Sequence, residues 1–168
     1  MKSLLKLITA AFLILAPLSI SAQSNVAHIN VQQLISEMPE VVAAQNELAK
    51  LEKDYTTQID NAFKEFQTKA QSYSSDAANQ TDVTNQARQK ELESMQTNLQ
   101  EFRDSAAQEL QKKQMDLMTP LLEKARNAIT KVGEEQGFNY VIDSSPNGGI
   151  ILANGKDLLA DVKKELGF

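Results

Sequence analysis

The chain has no cysteine, no tryptophan, one histidine, four prolines and six glycines in 168 residues. Without cysteine there is no disulfide framework, no thiolate nucleophile, no Cys-based metal site and no acylated N-terminal cysteine of a lipoprotein. His28 stands alone on a short apolar stretch with no ligand partner at metal spacing, so it reads as a structural or surface residue. Aromatic residues make up only 5% of the chain, three Tyr and six Phe. That is too little bulky apolar material for one large globular core, so stability must come from helix packing and association between copies. No glycine-rich phosphate loop is present. Asp143-Ser144-Ser145 superficially resembles a catalytic triplet, but serine chemistry needs a base held against the nucleophile, and the setting is that of a turn. No catalytic, metal or cofactor residue is assigned. The net charge of −5 argues against nucleic acid as a partner, because phosphate backbones attract basic surfaces.

What is present begins with an export pattern. Lys2 and Lys6 precede an apolar run, Leu7 to Leu18, interrupted by Thr9 and ending near Pro17, followed by small and polar residues up to Ala22 and Gln23. This matches a signal-peptide core in length and falls short of the roughly 20 residues of a membrane span. Residues 1–22 are therefore expected to be a signal peptide cleaved after Ala22. Cleavage removes two of the 17 basic residues and none of the 22 acidic ones, so the net charge moves from −5 to −7.

The remainder divides into a body, 23–40 together with 133–168, and an arm, 41–132. Val26 to Val31 reads as a strand. Asn30 or Ser36 is placed to cap the helix after it, and Pro39 suits the first turn of a helix. From Pro39 to Tyr73 there is neither Gly nor a second Pro, and apolar residues recur at Val41, Ala44, Leu48, Leu51, Tyr55, Ile59, Ala62, Phe66, Ala70 and Tyr73. From Leu51 the spacing settles into an 11-residue period, which opposes left-handed supercoiling and predicts a nearly straight arm. Residues 74–85, rich in Ser, Asp, Asn and Thr, are expected to form the tip, with Thr84 or Asn85 capping a second helix. Its stripe runs through Leu92, Met95, Leu99, Phe102, Ala106, Leu110, Leu117, Leu121, Ala125, Ala128 and Val132 until Gly133 and Gly137 end it. Pro120 lies inside that helix and predicts either a kink near 115–119 or a break.

The last zone is mixed. Residues 138–142 read as a strand, 143–149 as a turn and 150–153 as a returning strand. Asp157 is then expected to cap a short helix bearing Leu158, Leu159 and Val162, with Gly167 just past its end. The apolar face widens near the Pro120 end, where Met115, Met118, Leu122 and Ile129 form a second stripe. Such width requires partners beyond a single facing helix. The expected core of the body and of any assembly comprises Ala27, Ile29, Val31, Leu34, Ile35, Met38, Val141, Ile150, Leu152, Leu158, Leu159 and Val162. The fold class is α+β, mostly α: a long antiparallel helical hairpin projecting from a small β-sheet body. The arm carries 12 basic and 14 acidic residues, so it is nearly neutral, while the body holds 3 basic against 8 acidic.

Asn25-Val26-Ala27-His28-Ile29-Asn30-Val31, the stretch Gly137-Phe138-Asn139-Tyr140-Val141-Ile142-Asp143, and Ala153-Asn154-Gly155-Lys156-Asp157-Leu158-Leu159-Ala160-Asp161-Val162, separated by a hairpin of this length, resemble the Skp/OmpH family of periplasmic chaperones over essentially the whole chain after the leader. The hairpin itself is generic, and the terminal stretches carry the resemblance. It implies a homotrimer whose three hairpins surround a cavity for unfolded outer-membrane β-barrel proteins, held without ATP or any cofactor. The best-known members are basic and this chain is acidic, so lipopolysaccharide or lipid contact is not carried over. In that setting Tyr55, Phe63, Tyr73, Met95, Met115 and Met118 are the candidate client contacts, because Met and aromatic groups adapt to varied apolar partners. Phe63, beside Ala62 and Phe66, is expected to lean out of the seam. A coiled-coil tether between envelope components is the alternative from another class.

Overall fold

The computed structural model describes residues 25–146 and 148–168, so the expected leader, 1–22, lies outside the described residues. Strand β1 (Val26–Ile29) leads into helix α1 (Val31–Glu37). Asn30 caps α1, its Oδ1 accepting the Gln33 N–H at 2.9 Å. The chain leaves that helix at Met38, whose extended ψ of 122° is what a following proline imposes. Pro39 then opens helix α2 (Pro39–Asp76) at its first position. A 3-10 turn, Ala77–Asn79, separates α2 from helix α3 (Asp82–Glu135). Strands β2 (Tyr140–Asp143) and β3 (Lys156–Asp157) and helix α4 (Leu159–Leu166) complete the order.

Helices of 38 and 54 residues span about 57 and 81 Å at 1.5 Å per residue, and they pack on each other as the expected antiparallel hairpin. The first strand ends at Ile29 rather than Val31, the second spans 140–143 rather than 138–142, and both edges of the tip differ from the sequence reading. Helix α2 runs on to Asp76 and α3 starts at Asp82, so the tip is far tighter than 74–85. The polar residues expected to break the helix are instead spent on the turn: Asp76 takes up Gln80 and Arg88, and Asn85 donates to the Ala77 carbonyl at 3.0 Å. The cap of α3 is Thr81, whose Oγ1 accepts the Thr84 N–H at 3.2 Å, rather than Thr84 or Asn85. Helix α3 is also continuous through Pro120, so the break is excluded.

The C-terminus of α3 closes with a Schellman motif: Phe138 N–H donates to the Gly133 carbonyl and Gly137 N–H to Glu134, with Gly137 at φ +75°. Helix α4 ends the same way at Gly167 (φ +91°), with Phe168 N–H on the Lys163 carbonyl. In both cases the phenylalanine after the glycine folds back onto the body core.

The sheet has the order β2-β1-β3 and is wholly parallel. Val26 pairs with Tyr140 and Ile29 with Asp143, while Ala27 and His28 pair with Lys156 and Asp157. This corrects the expected returning strand. Residues 150–153 form no strand, and the third strand is the unpromising pair Lys156-Asp157. A parallel neighbour must return the chain to the same end of the sheet, so the chain between β2 and β3 is consumed as the crossover. Ile150 and Leu152, expected in the core, are exposed in the single chain, Leu152 at 74%.

The core sits at the hairpin base. Ala27, Ile29, Leu34, Met38, Val41, Leu158 and Val162 are buried with Ala125, Ala128 and Val132 of α3. Val31, Ile35, Val141 and Leu159 pack on this cluster half-buried. Farther out, Leu99 and the small Ala106 reach burial along the seam. The arm is therefore a narrow two-helix contact anchored in a small body.

Candidate functional site

The arms carry sparse apolar groups between long polar stretches. Of the six candidates, Phe63 (39%) and Met115 (55%) are exposed. The others are engaged. Tyr55 lies edge-on to Phe102, ring centres 6.0 Å apart, and its hydroxyl donates to Glu109. That carboxylate pushes the Tyr55 phenol above its ordinary pKa. Tyr73 donates to Glu91 at 2.6 Å and lies under the Arg88 guanidinium, 4.7 Å from the ring centre. Met95 is half-buried in the seam, and Met118 packs on the body core.

Phe63 forms one wall of a hollow midway along the arm. Its ring stacks on Phe66 with centroids 6.5 Å apart and planes 22° from parallel. Leu99, only 8% exposed, and the side chains of Gln96, Gln100 and Arg103 complete a hollow of about 450 Å³. A second hollow, about 560 Å³, lies on the body between α1 and the base of α3, lined by Val31, Ile35, Leu122, Ile129 and Phe138. It is the widened face read from the sequence, and the chain's own sheet covers it only in part.

The polar residues around the turn form a brace rather than a reaction centre. Ser145, buried, accepts the Gln32 N–H at 3.0 Å and donates toward Asp143 Oδ1 and Asn30 Oδ1. Partial burial pushes the Asp143 carboxyl up, but the Ser145 hydroxyl and the N–H groups of Ser145 and Val31 outweigh it and hold its pKa below the usual carboxylate range. His28 Nδ1 lies 3.2 Å from Ser144 Oγ. The sequence reading missed this pairing, since 116 residues separate the two. The brace's carboxylate is committed to Ser145 and Val31 rather than to the imidazole, so the His–Ser contact lacks the orienting third group of a triad. It ties β1 to the end of β2. No cluster of three or more His, Cys, Asp or Glu suited to a metal occurs among the described residues.

Ion pairs rivet the hairpin to its base. Lys124 meets Glu40 at 2.5 Å, Lys113 meets Glu47 at 2.7 Å, Lys131 meets Glu165 at 2.6 Å, and Lys163 pairs with Glu37. At the tip, Lys69 and Tyr73 both hold Glu91 and lower its pKa, while Arg88 and then Asn79 lower that of Asp76.

A long two-helix arm rises from a small parallel sheet, with the main core at its base and most of the arm's surface in solvent. Comparison with known proteins identifies the family. Residues 25–166 match the family described as outer membrane protein (OmpH-like), and the chain belongs to that family. It is 21% identical over 151 residues to a chaperone protein Skp of Pectobacterium atrosepticum, covering 90% of each chain. It is 26% identical over 148 residues to a chaperone protein Skp of Yersinia enterocolitica, covering 85% of this chain and 86% of that one. Its fold matches the crystal structure of an OmpH-like protein from Caulobacter crescentus with a TM-score of 0.76 at 12% identity, over 86% of this chain and 85% of the other. The relatives support a chaperone role.

Proposed function

We propose that this protein is an ATP-independent periplasmic holdase that encloses unfolded outer-membrane β-barrel proteins and keeps them from aggregating. In this reading residues 1–22 are an export signal, 23–40 with 133–168 form an assembling body, and 41–132 is the arm. The observation that carries the proposal is the division of burial. The core closes around the hairpin base, and the arm beyond it stands in solvent with scattered apolar groups on a nearly neutral, mixed-charge surface. Many weak contacts of this kind suit a client that exposes alternating apolar residues and unpaired strand edges. They hold it without dictating its structure. A single hairpin cannot enclose a chain, so the reading needs several copies. The fully exposed Ile151, with Ile150 and Leu152 beside it, supplies apolar surface on the body for a homotrimer.

The test is light scattering of the chain lacking residues 1–22, alone and after a urea-unfolded outer-membrane barrel is diluted into it without ATP. A trimer that keeps the barrel in solution is the expected result. A monomer, or an oligomer that leaves the barrel to aggregate, would sink the proposal and leave a structural tether in the envelope as the better reading.

A further inference from the structure

The hollow midway along the arm has a chemical bias that the general holdase reading does not supply. Its floor and one wall are apolar, Leu99, Phe66 and the exposed face of Phe63. Its rim carries amides and one cation, Arg103, and no carboxylate. On a helix a charged side chain is neutralised by partners three or four residues away. For Arg103 those positions are Leu99, Gln100, Ala106 and Ala107, and none is acidic. Across the seam no carboxylate comes within ion-pair distance of it among the described residues. Lys69, Arg88, Lys113, Lys124 and Lys131 each have an acidic partner; among the arm cations that have none, Arg103 is the one that lines this hollow. An unpaired guanidinium thus sits at the mouth of an aromatic hollow.

We propose that this hollow is a specific client-binding site that takes an aromatic side chain of an unfolded polypeptide between Phe63 and Leu99 and a neighbouring client carboxylate on Arg103. The proposal rests on the holdase reading and narrows it: the arm prefers segments in which an aromatic residue and an Asp or Glu lie within two positions of each other. The strands of β-barrels alternate apolar and polar residues and carry aromatic girdles at both membrane interfaces, a pattern that sets aromatic and polar side chains within one or two positions of each other. A guanidinium binds a carboxylate through two parallel N–H bonds, and the aromatic wall excludes water from one side of that pair. The ring stack supplies apolar contact without a fixed register.

The probes are three fluorescein-labelled unstructured peptides that differ only at their centre, carrying Tyr-Ser-Asp, Ala-Ser-Asp or Tyr-Ser-Asn, with affinities followed by anisotropy. The intact protein is expected to bind the first about tenfold more tightly than either of the others, a difference worth one good contact. Arg103→Gln should abolish the preference for Asp over Asn while keeping that for Tyr over Ala, and Phe63→Ala should do the reverse. Both side chains lie on the arm surface, and unchanged far-UV circular dichroism would show that the hairpin is intact. Val83→Ala, a change at the exposed tip, should leave all three affinities as they were. The Asp preference should fade as salt rises from 50 to 500 mM, because screening shortens the reach of an exposed charge. Equal affinity for all three peptides, or preferences that survive both variants, would overturn the proposal. An unfolded barrel, tested in parallel, separates the two readings. If wild type and variants hold it equally well, the hollow is not the site and the holdase stands; if none holds it, the holdase reading itself fails.

Discussion

Gly133 shows how a single residue governs the packing of arm on body. A β-carbon built there would lie 2.8 Å from Val141 Cγ2, closer than packed atoms tolerate. Alanine is the better helix former by about 1 kcal/mol, so a change driven by helix propensity would stabilise. Here overpacking should win, and Gly133→Ala is expected to destabilise by about 1–3 kcal/mol in urea unfolding. A second change, Val141→Ala, should recover part of that loss by removing the clash. Ser145 makes a comparable case for polar groups. Its hydroxyl answers the Gln32 N–H at the start of α1 and reaches Asp143 and Asn30. Ser145→Ala would orphan a donor in a half-buried turn, and a loss of about 1–3 kcal/mol in the same measurement is expected. Neither effect was legible in the sequence. Gly133 read as a helix terminator, and Ser145 as an ordinary turn residue, because their partners come from segments far along the chain.

At the scale of elements, the tip and Pro120 behave in opposite ways. The tip is tightened by polar groups that the sequence placed in a loose loop. Asp76 and Glu91, held by Arg88 and Lys69 with Tyr73, have pKa values below those of free carboxyls. Groups of this kind contribute stability that is complete above the unfolded carboxylate range, around pH 4, and is lost as pH falls through their lowered folded values. Helicity of the distal arm should therefore decline on acidification into that range. In circular dichroism melts between pH 6 and 3, the pair Asp76→Asn and Glu91→Gln should flatten this dependence relative to wild type. Pro120 does not break α3, so the Asp116 carbonyl is left without its helical donor. Pro120→Ala restores that bond, and an increase in stability of up to about 3 kcal/mol is expected, read as a higher midpoint of thermal unfolding. The expectation of helix through this region came from the apolar stripe on either side of Pro120. The stripe prevails because it packs on α2 and α4, where a break would uncover Ala125, Ala128 and Val132.

For the whole molecule, the proposed assembly turns on the exposed crossover. Ile150, Ile151 and Leu152 stand out from the body, and an isolated copy gains nothing from exposing them. Replacing all three by Ser should shift the mass in light scattering from an oligomer toward the monomer. The hairpin should remain folded by circular dichroism, because none of the three belongs to the core cluster. Unfolded barrels should then aggregate despite an intact arm, if enclosure by several copies is the mechanism. Client capture by Phe63 and similar apolar groups should in addition persist at moderate salt, since the arm as a whole, with 12 basic and 14 acidic residues, is close to neutral.

What the amino-acid sequence determined by itself is the hairpin and its family. Two long stretches free of glycine, with apolar residues every three or four positions, have no other way to bury their seam, and the terminal stretches around Tyr140-Val141-Ile142-Asp143 and Asp157-Leu158-Leu159 carry the resemblance that the family match over 25–166 bears out. The stop at Gly167 was readable for the same reason, since it acts within a few residues of itself, and so were the two candidate caps, Asn30 and Ser36, of which Asn30 caps the first helix. Tertiary structure alone decided the parallel sheet, the burial of Ser145, the close approach at Gly133 and the contact of His28 with Ser144. In each of these the energy lies between residues that are distant in sequence and meet at the base of the hairpin. Lys156-Asp157 is the sharpest instance: nothing in that dipeptide favours a strand, and it becomes one because Leu158 is buried and its N–H meets the His28 carbonyl at 3.0 Å.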